Sequence, residues 1–323
     1  MKMSYEEFKN RVQEEILNYL PEEYQDYNVE VSAVTKTNCY KDSLMIFRST
    51  LDGKPAQCPI IYLKDFYDDL YQKNDMPFEA VMHIIAVKYE EFCDKIDKTF
   101  DAREMKKENG PEHLYCSILD PKSNKKLLED VPYEIHYGLA VICRWAVRKG
   151  STDVGSIVVN NHIMEEILGM DKESLFNMAK EGTKKLYPVA IESMCDIILK
   201  ALQSRGVSAE IADSMSRSMG RDLYVVRSGC KNHSAVNMIF DDVLQHVADT
   251  LKDNYYVLPI NIHSLIIVID NGSYKTDPTF ADGLKQSLKT SGYFGTDPEE
   301  FLCGDVYYYD HVSRSLIMAS SKE

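Results

Sequence analysis

Several common signatures are missing from these 323 residues. Neither GxGxxG nor GxxxxGK(S/T) occurs, which removes the usual dinucleotide and P-loop phosphate cradles. No GxSxG elbow and no HExxH pair is present, and the serines beside histidines, such as Ser234 after His233, lack an orienting acid. The eight cysteines, at Cys39, Cys58, Cys93, Cys116, Cys143, Cys195, Cys230 and Cys303, form no CxxC pair and follow no tight spacing. That scatter suits reduced thiols in a cytosol, and in "LAVICRWAV" the thiol packs as a small hydrophobe. The longest strongly apolar strand-like run, Leu265–Ile269, falls far short of the roughly 20 residues a spanning helix needs. The opening "MKMSYEEFKN" lacks the apolar core of a signal peptide. Positive charge is scarce as well. Lys and Arg number 37 against 51 Asp and Glu, a net charge of −14, so the average field repels phosphate backbones and anionic lipid. The expectation is a soluble, cytoplasmic protein with no membrane partner and no general affinity for nucleic acid.

What is present is strong patterning. A chain this long buries about three quarters of its unfolded surface without help from disulfides or metal. "SYEEFKNRVQEEILNYL" sets Tyr5, Phe8, Val12, Ile16 and Tyr19 at three- and four-residue steps behind Ser4 and Glu7, which predicts a capped helix. Pro21 ends it. "YNVEVSAVTK", "DSLMIFRS" and "CPIIYL" read as strands, with "LDGKP" as a turn before the last. "KDFYDDLYQKN" and the stripe Phe78, Val81, Met82, Ile85, Tyr89 and Phe92 are helical in period. A first unit is expected to close near Asn109–Gly110–Pro111, giving 1–110 and 111–323.

Beyond it, "HLYCSILD" reads as extended and "SNKKLLEDV" as a short helix, while "IHYGLAVICRWAVRKG" and "DVGSIVVN" read as two strands. "NHIMEEILGM", "DKESLFNMAKEGTKKLY", "AIESMCDIILKALQSRG" and "SAEIADSMSRSMG" read as helices, with Asp171 as a cap. The remainder alternates: strands "LYVVRS" and "AVNMIF", helix "DDVLQHVADTLKD", strands "YYVLP" and "HSLIIVID", helix "PTFADGLKQSLKT", strands "DVYYYD" and "SLIMAS". Adjacent strand pairs interrupted by helices predict an α+β fold with mixed or antiparallel sheets.

The blocks "SYEEFKNRVQEEILNYLP", "IIYLKDFYDDLYQ", "SNKKLLEDVPYEIHYGLAVICRWAV", "SIVVNNHIMEEILGM", "YYVLPINIHSLIIVID" and "DVYYYD" resemble, together, the bacterial family called domain of unknown function 5688. The resemblance covers nearly the whole chain and implies a bacterial, cytoplasmic, α+β protein, with no catalytic residue set to carry over. Where such proteins commonly show "LPSSIHEV", this chain has Leu258–Pro259–Ile260–Asn261–Ile262–His263–Ser264–Leu265, without the serine pair and the acid beside the histidine.

Candidate chemistry is thin. His263 is a possible general base or metal ligand, set against a role in fixing the turn after Pro259. In an extended segment Asn261, His263 and Leu265 would share one face. Asp270–Asn271–Gly272 is turn composition. Asp242, His246 and Asp249 fall on one helical face at four- and three-residue steps, a spacing that suits a divalent cation but equally a solvated face. Cys230 to His233 is half a zinc site at best. Tyr307–Tyr308–Tyr309 reads as a strand with alternate rings packed and exposed, and Asn160–Asn161 as a helix cap. These readings favour a non-enzymatic protein in a regulatory or accessory role, with a protein as partner and no cofactor or bound metal. The alternatives are a metal-dependent hydrolase using His246, Asp242, Asp249 and His263, and a small-molecule or nucleotide sensor.

Overall fold

The computed structural model describes residues 2–48, 58–99, 104–149, 152–228, 233–272, 277 and 279–320. The expected turn at Leu51–Pro55 and the residue Cys230 lie outside these. The chain forms two compact units, Met1–Glu104 with Val147–Gly155, and Met105–Ala146 with Ser156–Glu323.

In the first unit, α1 (Tyr5–Glu15) begins at a complete capping box. Ser4 Oγ accepts the Glu7 N–H and Glu7 Oε2 accepts the Ser4 N–H at 2.7 Å, satisfying two donors that a helix start leaves open. The helix then buries Phe8 and Val12, and Ile16 follows in a 3₁₀ turn. Strands β1 (Asn28–Lys36), β2 (Cys39–Phe47) and β3 (Ile60–Tyr62) make an antiparallel sheet in that order. A short α2 (Leu63–Asp65) runs on into a π-helical turn, Phe66–Lys73, which buries both Tyr67 and Tyr71. The long α3 (Phe78–Thr99) buries Phe78, Val81, Met82, Ile85 and Tyr89, the stripe legible in its period, and Tyr89 Oη donates to Ile46 O at 2.6 Å. Phe8 meets Phe78 edge-on at 5.6 Å, in one core shared by the helices and the sheet.

Two more antiparallel sheets follow, and apart from the Val147–Gly155 end of one hairpin they belong to the second unit. After α4 (Gly110–His113), strand β4 (Leu114–Leu119) is buried at every residue. It is an outer strand beside β6 (Leu139–Lys149), which also pairs with β5 (Tyr133–His136) and β7 (Thr152–Val158); α5 (Lys125–Leu128) lies between β4 and β5. The outer edge of β4 is covered by α6 (Lys172–Leu186), where Thr183 Oγ1 accepts the Cys116 N–H at 2.8 Å. Close approach requires Gly182, because a Cβ there would collide with the Leu114 carbonyl. Trp145 on β6 is buried and stacks on the His113 ring at 4.8 Å.

The larger sheet runs β13 (Ser315–Met318), β12 (Tyr307–Asp310), β10 (Tyr255–Asn261), β11 (Ser264–Ile269), β9 (Leu223–Ser228), β8 (Val189–Ser193). Helices α7 (Met194–Ser204) and α8 (Ala209–Gly220) connect β8 to β9. Helix α9 (Asp241–Leu251) supplies the carbonyl of Leu244 to Tyr255 Oη at 2.8 Å and Gln245 Oε1 to Tyr309 Oη at 3.0 Å. Helix α10 (Phe280–Thr290) packs Ala281 and Leu288 with Tyr256, Leu258 and Tyr308. Successive side chains of β10 and β12 point to opposite faces, so the two helices cover opposite faces of the sheet. Tyr307, Tyr308 and Tyr309 are therefore all buried, not alternately exposed as their strand pattern predicts, and a strand enclosed on both sides reads as one continuous aromatic and apolar run.

Three further segments depart from expectation. "IHYGLAV" is a hairpin, not one strand: Tyr137 and Gly138 take φ of 53° and 84°, the two positive values a tight two-residue turn demands. "AIES" is part of the outer strand β8 and precedes the helix, although its pattern predicts the helix's first turn. "AVNMIF" lies in a 3₁₀ helix, Ser234–Ile239, because Ser234 Oγ accepts the Ser228 N–H and Asn237 Nδ2 donates to Ser234 O, side-chain bonds that compete with a ladder. Among the described residues no helix is long and apolar enough to cross a membrane.

Candidate functional site

Helix α10 carries an anomaly on its buried stripe: Ala281, Lys285 and Leu288 are all covered, so a lysine occupies a position its helical period assigns to an apolar residue. Covering an ammonium costs several kcal/mol unless it is paired. Asp305 supplies that pairing, its Oδ1 lying 2.8 Å from Lys285 Nζ. Asp305 belongs to the segment that leads into β12. This segment is zipped to the end of β10: Ile262 N–H donates to Glu300 O, Leu302 N–H to Ile260 O and Cys303 N–H to Pro259 O. Tyr293, in the 3₁₀ turn after α10, packs on Phe301 at 4.6 Å and closes over Gly304, where a Cβ would stand 3.0 Å from its ring and hydroxyl.

Between these pieces and the Tyr137–Gly138 turn lies a cavity of about 670 Å³. Tyr307 Oη donates to Tyr137 O at 3.0 Å and so ties the turn to the sheet that forms the cavity's other side. Its walls are aromatic and aliphatic, from Tyr293, Phe301, Leu139, Leu316 and Met318. Its charged groups are Asp120, Lys122, Lys285, Lys289 and Asp305. Lys122 and Lys289 are exposed and stand at the rim, whereas Lys285 is covered. The Asp120 carboxylate turns back into its own loop, accepting Lys122 N–H at 3.2 Å, Ser123 N–H at 2.9 Å and Ser123 Oγ at 2.6 Å. Cys303 also lines the cavity, but burial pushes its thiol up to about 12, which leaves it protonated and a poor nucleophile at neutral pH.

The histidine singled out by sequence sits elsewhere. Asn261 and Ser264 close β10 onto β11 around Ile262 and His263, with Asn261 Oδ1 accepting the N–H of His263 at 2.9 Å and of Ser264 at 3.0 Å. Residues 261–264 are thus a turn, and the alternate-face reading of Asn261, His263 and Leu265 does not apply. His263 Nδ1 accepts the backbone N–H of His233 at 3.4 Å, which places the ring proton on Nε2, 3.3 Å from Glu300 Oε1. His233 in turn bonds Ser117 Oγ through Nδ1 at 3.0 Å. A serine, two histidines and a glutamate thereby adjoin, yet the link between the histidines runs through a backbone amide, so no proton passes ring to ring. Ser117 is buried within β4, and none of the four lines the cavity. Burial, with Arg144 and His263 adding to it, holds His233 well below the usual histidine range, so this ring stays neutral.

Asp242, His246 and Asp249 do share the exposed side of α9. Asp242 pairs with Lys184 at 2.9 Å, and Asp249 accepts from Gln245 at 2.8 Å and meets His311 Nε2 at 3.0 Å. The Lys184 ammonium holds the Asp242 carboxyl below its usual range, and the Gln245 amide, ahead of His311, does the same for Asp249. Among the described residues no group of three or more His, Cys, Asp and Glu is placed to hold a metal ion. Asn160 caps its turn, Oδ1 accepting the Ile163 N–H at 2.9 Å. Asp270 does more than turn the chain: it is buried, accepts the Gly272 N–H, and takes a 2.8 Å hydrogen bond from Tyr308 Oη.

The cavity residues are not legible in sequence because they come from five separated stretches. The lysine on the covered stripe of α10 was the one signal available in sequence. The model of DUF5688, a family of unknown function, matches residues 5–311. No curated protein and no solved structure matches the chain.

Proposed function

The chain belongs to the DUF5688 family, and we propose from its own geometry that it is a non-enzymatic binding protein whose second unit receives a small organic ligand. The carrying observation is the cavity of about 670 Å³, within the roughly 300–1,000 Å³ span of small-molecule pockets and built as they are, from apolar and aromatic walls with a few fixed polar groups. A non-catalytic role is supported by what faces the space: a protonated thiol, a lysine matched by an aspartate and, among the described residues, no histidine. The regulatory or accessory role expected from sequence takes this form, with ligand occupancy as the signal.

The test is a thermal-shift screen of the full chain against a metabolite panel, repeated with Met318→Trp, a variant designed to fill the cavity. Compounds that raise the Tm of the wild type and lose that effect in a Met318→Trp protein with unchanged circular dichroism support the reading. A panel without a stabilising compound, or shifts that survive the filled cavity, would discard it.

A further inference from the structure

We propose that Cys116 and Cys143 are a dithiol that closes into a cross-strand disulfide, with hydrogen peroxide as the oxidant. The two cysteines stand directly opposite each other in the antiparallel register of β4 and β6. Opposed residues on such a pair alternate between those that exchange two backbone hydrogen bonds and those that exchange none, and the second kind brings its side chains closer. Backbone partners assign the cysteines to the second kind. Cys116 N–H donates away from β6, to Thr183 Oγ1 on α6 at 2.8 Å, and Cys143 O accepts the Val159 N–H from the chain just past β7 at 3.0 Å. Neither bond runs between the two cysteines. Cα atoms in a pair of this kind lie about 4.5 Å apart, inside the roughly 4.4–6.8 Å that a disulfide spans.

Both side chains are fully covered. Burial first, and then the Cys116 thiol beside it, push the Cys143 thiol well above its usual range, so each sulfur lies within the field of the other. Thiolate is scarce there and attack on an oxidant is slow. A small uncharged oxidant is the class that such a site admits, since a glutathione-sized disulfide reaches it only with the edge of β4 uncovered. In the first step one cysteine, as thiolate, attacks a peroxide oxygen; the O–O bond breaks, and the departing hydroxide takes up the thiol's proton as water and leaves a sulfenic acid. The second sulfur then attacks the first, the S–S bond forms as the S–O bond breaks, and the second thiol's proton leaves with that hydroxide as water. Two thiols thus give two electrons to one peroxide, yielding one disulfide and two waters. The opposed thiol intercepts the sulfenic acid before further peroxide carries it to the irreversible sulfinic stage.

The experiment treats the reduced full chain with hydrogen peroxide, blocks the remaining thiols with N-ethylmaleimide in urea, and maps the unreduced digest by mass spectrometry. Because burial slows entry, a second arm refolds the reduced chain from urea in a glutathione redox buffer, where the same thiols are open while the sheet assembles. The expected result in both arms is a linked Cys116–Cys143 peptide, two hydrogens lighter than the sum of its parts and about tenfold more abundant than any other cysteine pairing, because the register holds these two sulfurs together. Under the same peroxide dose, Cys143→Ser is expected to convert more Cys116 to sulfinic acid than the wild type does. Linkage in the refolding arm alone would overturn peroxide as the oxidant and keep the pair. Absence of the linked peptide from both arms, or a scrambled mixture in which it is no commoner than other pairings, would overturn the pair itself. Equal sulfinic acid at Cys116 in the wild type and in Cys143→Ser would show that the opposed thiol does not intercept, and would overturn the peroxide route.

Discussion

Among the contacts of the second unit in which a nitrogen base meets a carboxylate, two use the same segment before β12. At one, His263 faces Glu300 at 3.3 Å; at the other, five residues along, Asp305 faces Lys285 at 2.8 Å. Their surroundings decide what each becomes. Around His263, the backbone N–H of His233 occupies one ring nitrogen and Glu300 the other, so the side chain is spent on holding three stretches of chain together. Around Lys285, Tyr293 packs on Phe301 and Gly304 lets it fold over, so the ion pair ends up on the wall of a space. Titratable residues near each other therefore mark a site only when packing leaves room beside them.

Four measurements probe that contrast. The severest change strikes both places through the strand that begins at the His263 turn: Ile267→Asp puts an unpaired charge at a covered position of β11, and urea unfolding should show a loss of about 3 kcal/mol or more. Near-wild-type stability would show that β11 does not anchor this sheet. Next, Lys285→Ala strands Asp305 at the cavity wall and is expected to cost about 2 kcal/mol, less than a deeply buried pair because Asp305 retains solvent. The double change Lys285→Met with Asp305→Leu should recover most of that loss, and failure to recover would mean the cost was packing rather than charge.

The third measurement separates the two places by pH. The folded chain holds His233 well below its ordinary value, whereas the unfolded chain takes up a proton near about pH 6.5. The resulting stabilisation is complete above that pH and is lost as the pH falls, by about 1.4 kcal/mol per unit at the steepest. Urea midpoints between pH 7.5 and pH 5 (about 2 kcal/mol apart at that slope) should fall in the wild type, and the fall should flatten in His233→Gln. An identical slope in both would remove His233 from the acid response. The smallest effect belongs to His263→Ala, which deprives the His233 amide of its acceptor: about 1 kcal/mol of stability and no change in ligand affinity at the cavity. A large loss of affinity on this change would join the two places into one site.

Periodicity carried the fold well where one residue spacing persisted. The capping box at Ser4 and Glu7, the stripe of α3 and the strands β10 and β11 were legible because local propensity and burial agree there, though the turn joining those strands was not. It failed where tertiary contacts override pattern. Tyr307–Tyr309 is covered on both faces, which no period within four residues reveals, and residues 234–239 coil because Ser228 and Asn237 reach Ser234. The Tyr137–Gly138 turn is hard to read in "IHYGLAV", since tyrosine is an unusual partner for a positive φ. The cavity was the least legible feature. Its members are ordinary residues from distant stretches, and the histidines and acids that attracted notice serve as braces or as a solvated face.

The stacking of Trp145 on His113 makes one unit observable by itself. Trp145 is the single tryptophan of the chain, lies in the second unit, and rests flat on His113. Indole emission excited near the red edge will therefore track the melting of that unit alone, while the far-ultraviolet backbone signal sums both. If the two traces separate on heating, the units unfold independently; if they superimpose, the molecule melts as one cooperative block.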